Sequence, residues 1–160
     1  MFMKNKLSTA IAALITTMTL SANSAAQAGP FTSCPSEAFL AQNTVAELYG
    51  VQLATGYYSR LAYDMGTRSK INAIGFNFHD DYLYGWTYEN RTVGRIDSDY
   101  QVTPLSVSNM PNSDFFVGDV ALSHNTYYVY RSGSALGLYA ISLDPQDPNY
   151  LAGVRVIDGD

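Results

Sequence analysis

NAIGFNF (72–78), YLYGWTY (82–88), TVGRIDS (92–98) and QVTPLSV (101–107) are four apolar and aromatic runs separated by short polar turns. Runs of this length bounded by Asp, Asn and Gly read as strands, and turns this short leave room only for antiparallel neighbours. The same pattern recurs along the chain. Leu48-Tyr49-Gly50-Val51, Val93-Gly94-Arg95-Ile96 and Leu138-Tyr139-Ala140-Ile141 begin 45 residues apart, and each runs on into a turn of Gly, Asp, Asn or Pro. Upstream of the second and third copies, His79-Asp80-Asp81-Tyr82 and His124-Asn125-Thr126-Tyr127 stand at the same spacing, after Ala73 to Phe78 and Asp119 to Ser123.

A four-stranded repeat of about 45 residues has the size of one β-propeller blade. The expected fold is all-β: a propeller-like array of four-stranded antiparallel sheets in about three repeats, near residues 34–66, 72–110 and 117–157. The array is incomplete, because a closed ring takes about four to eight blades. Either other chains complete the ring, or the chain is an unclosed fragment, or three sheets pack in another way. The first repeat keeps only Ala38 to Gln42 and two further strands, with a short helix over 36–48 as the alternative, capped by Ser36. Val51, Ile96 and Ile141 hold one repeat position and are expected to be buried together, as is Trp86.

Composition bounds the rest. Of 160 residues, 47% are hydrophobic and 13% aromatic, which excludes a disordered acidic chain. The formal charge is −5 without any cluster of Lys and Arg, so there is no electrostatic footprint for nucleic acid. Residues 1–28 read as a signal peptide: Lys4 and Lys6, an uncharged apolar run from Leu7 to Leu20, then Ala26-Gln27-Ala28 as a small-x-small cleavage site. Export to the periplasm or beyond is expected, with a mature chain, 29–160, that begins at Gly29 and spans no membrane. Cys34 follows Phe31-Thr32-Ser33, which is no lipid-attachment signal; the thiol is either buried or otherwise innocuous, or its partner lies in another chain or a missing segment.

CPSEAF (34–39), LYGVQLATGYY (48–58), NAIGFNFHDDYLYGW (72–86), DFFVGDVALS (114–123) and GLYAISLD (137–144) resemble the N-terminal part of secreted Gram-negative bacterial proteins whose propeller-like domain is of unknown function. In longer relatives that domain precedes an LruC-type domain. The resemblance implies no catalytic residue and no ligand.

The candidate chemistry is thin. His79 and His124 are the only histidines and sit on equivalent turns of different sheets, so they read as turn residues rather than metal ligands. Asp119, Ser123 and His124 are triad members by type, but adjacent side chains on an extended strand point to opposite faces and should not meet. Gly133-Ser134-Ala135-Leu136-Gly137 lacks the nucleophile-elbow spacing and reads as a hairpin loop. No cofactor is expected; Asp144, Asp147, Asp158 and Asp160 are weak Ca²⁺ candidates without EF-hand alternation. Tyr82, Tyr84, Trp86 and Tyr88 line one face of a strand, and Tyr128 and Tyr130 one face of the next repeat's strand. They pack sheet on sheet or form a stacking platform for a surface polysaccharide or protein. The function expected is a secreted, non-catalytic binding module. The alternatives are a propeller-type hydrolase or lyase, with His79, Asp80, Asp81 and Asp119 as its only raw material, or a fragment without independent function. An array of about three blades leaves apolar faces at both ends, which predicts self-association.

Overall fold

The computed structural model describes residues 28–159. The signal-peptide reading of residues 1–28 falls almost wholly on 1–27, outside the described residues, as does Asp160. Among the described residues there is no helix; the chain is all-β, in three antiparallel sheets, none of them closed into a barrel. Sheet 1 contains β1 (Ala38–Gln42), β2 (Glu47–Val51) and β3 (Tyr58–Ala62). Sheet 2 contains β4 (Ile71–Asn77), β5 (Tyr82–Thr87), β6 (Thr92–Ile96) and β7 (Val102–Leu105). Sheet 3 contains β8 (Val117–Val120), β9 (Thr126–Arg131), β10 (Gly133–Ser142) and β11 (Gly153–Gly159). Each is a meander whose strands pair in chain order. The helix alternative over 36–48 fails: β1 runs straight into a tight turn with Asn43 and Val45 at positive φ, and β2 pairs back on it. Pro104, which cannot donate to a ladder, sits on the edge strand β7.

Sheet 2 lies between the other two, and its sequence shows why. β5 is apolar on both sides, as a strand covered on both faces must be. Leu83 joins Ile71, Ile96, Leu48, Ala62 and Met65 in the core toward sheet 1. Tyr84, Trp86 and Val93 join Tyr127, Val129, Phe115, Tyr139 and Ile141 in the core toward sheet 3. The Trp86 and Phe115 rings meet edge-on with centroids 4.9 Å apart. β4 packs directly on β8 because both carry glycine at the crossing. A Cβ on Gly75 would collide with Asp119 Oδ1 and the Val120 nitrogen, and one on Gly118 would press into the Ala73 Cβ of β4. Across this junction the buried Tyr127 hydroxyl donates to the Ala73 carbonyl at 2.7 Å.

The pairing register makes β2, β6 and β10 equivalents. Ile96 and Ile141 are fully buried, but Val51 is only half-buried, correcting the expectation that all three lie in the core. The position faces the preceding sheet, and sheet 1 has none among the described residues. Sheet 1 also has three strands where the others have four: β1 corresponds to β5 and β9, and no counterpart of β4 or β8 pairs with it among the described residues.

The 45-residue spacing slips by one in the β8–β9 hairpin. Leu83 stands opposite Ile96, and Tyr127 opposite Ile141, so Tyr127 is the counterpart of Leu83 and not of Tyr82. A one-residue slip changes the face, so Tyr82 looks toward sheet 3 and Tyr127 toward sheet 2. Gly133 to Gly137 are not a free hairpin loop. They form the bulged start of β10, with Gly133 paired to Gly159. Gly137, at φ 124°, has no room for a Cβ against the Ile157 carbonyl.

Candidate functional site

The β4–β5 and β8–β9 turns come together at one end of the junction between sheets 2 and 3. Asn77, fully buried, accepts from the His79 nitrogen and donates through Nδ2 to Asn125 Oδ1 at 2.8 Å, which ties one turn to the other. Asp80 Oδ1 accepts from the Tyr82 nitrogen at 3.2 Å, and Asp81 at φ 59° completes the turn. Between the two turns opens a cleft of about 710 Å³. His79, Asp80, Tyr82, Tyr84 and Arg95 line its sheet 2 side; His124, Asn125, Asp144 and Tyr150 line the other.

Arg95 projects from β6 with its guanidinium carbon 4.5 Å from the centre of the Tyr82 ring, and makes no ion pair among the described residues. The Tyr84 hydroxyl donates to Asp80 Oδ2 at 2.5 Å. Burial first, and then that bond to a carboxylate, push the Tyr84 phenol far above its ordinary range, so it stays a neutral donor. The cleft thus offers a cation stacked on an aromatic face, two carboxylates, two imidazoles and the Tyr150 ring. A second groove, of about 590 Å³, lies between the β1–β2 turn and the start of β4, but it offers only Lys70, amides and a hydroxyl as polar groups.

Ser123 and His124 do touch, contrary to the strand-based expectation. Residues 122–125 form a bend rather than a strand, and Ser123 Oγ lies 2.9 Å from His124 Nδ1. The other imidazole nitrogen, Nε2, lies 3.0 Å from the Tyr128 hydroxyl, where a triad would place a carboxylate. Asp119 Oδ1 accepts from the Val120 nitrogen instead. His79 and His124 belong to different sheets, as their spacing implies, yet they border one cleft.

The six aromatic candidates do not form one platform. Trp86 and Tyr84 are in the core, 0% and 3% exposed, with Tyr82 and Tyr88 packed against it. Burial removes Trp86 from any surface role; its indole nitrogen has no hydrogen-bond partner among the described residues. Tyr128 and Tyr130 lie on the outer face of sheet 3, away from that core. Of the six, only Tyr82 and Tyr84 line the cleft. Arg95 was missed, although its two-residue spacing from Val93 places it on the same face as Tyr84. Tyr150 carries no signal of its own in the sequence. The acidic candidates are held locally: Asp144 Oδ1 and Asp147 Oδ1 accept from the Gln146 and Asn149 nitrogens, and Asp158 pairs with Arg155. No cluster of three His, Cys, Asp or Glu side chains fit to hold a metal ion occurs among the described residues. Cys34 is exposed.

Residues 39–153 match a family model described as a repeat of unknown function (DUF6923). No curated protein and no solved structure matches the chain.

Proposed function

The chain belongs to this family of repeats of unknown function, and we propose that it is a secreted, non-catalytic, propeller-like binding module whose ligand site is the cleft between sheets 2 and 3. It is a bacterial surface module of the kind that precedes LruC-type domains, and its ligand is a surface polysaccharide. The observation that carries this reading is the Arg95 guanidinium stacked on Tyr82 beside Tyr84 and Tyr150, in a cleft open to solvent. Aromatic faces stack on sugar rings while stacked guanidinium, hydroxyl and carboxylate groups bond to sugar hydroxyls. The order of the sheets, each a meander packed face to face on the next, supports the propeller-like arrangement. A hydrolase or lyase is less well supported, because Asp80 is engaged by Tyr84 and His124 by Ser123 and Tyr128.

Affinity electrophoresis through gels containing dextran, a neutral glucan, or alginate, a polyuronate, tests this. At least one polymer should retard the protein, and Tyr82→Ala and Arg95→Ala should each abolish the retardation. Free passage through both, or retardation indifferent to both substitutions, would overturn the reading.

A further inference from the structure

The β5–β6 ladder sets Arg95 directly opposite Tyr84, on the face that looks toward sheet 3, and its guanidinium lies over the ring of the diagonal neighbour Tyr82. Exposed arginines elsewhere find carboxylates: Arg60 meets Glu47 at 2.9 Å and Arg91 meets Asp114 at 3.2 Å. Arg95 is half-buried, where a lone charge costs more, and still has no carboxylate partner among the described residues. Two aspartates line the same cleft, but both are committed to holding turns. Asp80 accepts from the Tyr82 nitrogen with one oxygen and from the Tyr84 hydroxyl with the other, and Asp144 Oδ1 accepts from the Gln146 nitrogen. A ring face holds a guanidinium in place without supplying a lone pair for its N–H groups. The fork is therefore fixed in position and partly desolvated, yet unmatched by any carboxylate of the described chain.

The geometry points to a uronate-bearing polysaccharide as the ligand of this cleft, with Arg95 as the clamp for the sugar carboxylate. The inference rests on the cleft being the polysaccharide site and narrows what that site selects. A planar guanidinium and a planar carboxylate match in two parallel N–H···O bonds, a fit that a neutral sugar does not offer. Asp80 and Asp144 decide between a sugar and a peptide. Their remaining lone pairs call for donors, and a uronate ring carries hydroxyl donors beside its carboxylate, whereas the side chain of an acidic peptide brings acceptors only. Tyr150, on the opposite wall, offers its ring as a stacking face. The attraction is local: the formal charge of −5 makes the chain as a whole repel a polyanion, so charge alone does not account for such binding.

Affinity electrophoresis with polygalacturonate and with its methyl ester tests this, because the two polymers share a backbone and differ in the carboxylate charge. The free acid should bind about 10- to 100-fold more tightly. Arg95→Lys, which keeps the charge and loses the fork, should bind the free acid about 10-fold more weakly than the native chain, with an unchanged circular dichroism spectrum. Dextran sulfate and polyglutamate should bind no better than the ester. Retardation by the ester or by dextran as strong as by the free acid, and lost in Tyr82→Ala, overturns the uronate preference and leaves the polysaccharide reading standing. Native affinity in Arg95→Lys overturns the clamp. Dextran sulfate binding as tightly as the free acid would mean charge alone, and polyglutamate doing so would mean an acidic peptide; either overturns the proposal. Free passage through all of these polymers and alginate overturns the ligand reading itself, and this proposal with it.

Discussion

Trp86 and Tyr130 occupy the same position in consecutive sheets, and the first is fully buried while the second is 37% exposed. Ile141 and Val51 differ in the same way at the other face. Neither pair differs in local structure: each sits on a central strand of its sheet, within the same ladder. What differs is whether another sheet lies on top. Burial in a stacked repeat is therefore a property of the neighbour as much as of the residue, and repeat equivalence alone overstates it at the two ends.

The comparison breaks most sharply at the aromatic pair. Trp86→Ala should cost about 3–5 kcal/mol, and Tyr130→Ala, measured where the chain is monomeric, about 0.5 kcal/mol or less; similar losses by urea unfolding would dissolve the distinction. Ile141→Ala should cost about 2–4 kcal/mol against less than about 1 for Val51→Ala, read from the same denaturation curves. Gly75→Ala, which forces a methyl into the β4–β8 crossing, should cost about 1–3 kcal/mol, with Gly56→Ala as an open-space control that isolates the strain of its positive φ. A net gain at Gly75 would mean that the two sheets have room to part.

A smaller effect sharpens the same contrast by pH. Burial, reinforced for Tyr84 by its bond to Asp80, raises the phenols of Tyr84 and Tyr127 above their ordinary value of 10.0. A raised phenol favours the folded state fully below pH 10.0, and that contribution is lost as pH climbs beyond it, since only the unfolded chain then releases the protons. Absorbance at the phenolate band should rise smoothly with the exposed tyrosines and then jump, together with the loss of near-ultraviolet dichroism. A single smooth titration, complete before unfolding, would show that both hydroxyls reach water.

Much of this fold is written in the pattern of residues. The four runs from Asn72 to Val107 become β4 to β7 with boundaries close to those their turn residues imply, and the incomplete first repeat is a three-stranded sheet. The slip at the β8–β9 hairpin was not legible, because His79 to Tyr82 and His124 to Tyr127 share letters while the ladder counts backbone pairs. The contact of Ser123 with His124 was hidden for a related reason, since strand geometry was extended into a bend. Of the candidate site, the aromatic alternation was visible but not its burial, which depends on sheet 3. The cleft was not visible as a site at all, because it is assembled from two turns, β6 and the segment after β10.

The strands of each sheet follow one another without exchange between sheets. As the molecule emerges after crossing a membrane, N-terminal end first, it therefore appears in portions that can each fold in turn: hairpins close in about 1–10 μs, far faster than even a ribosome's roughly 5–20 residues per second. The hazardous interval falls after β7 has emerged and before β8 to β11 have. Sheet 2 then rests on sheet 1 but holds Tyr84, Trp86 and Val93 open to water, a ready seed for aggregation, until the last third of the chain arrives to cover them.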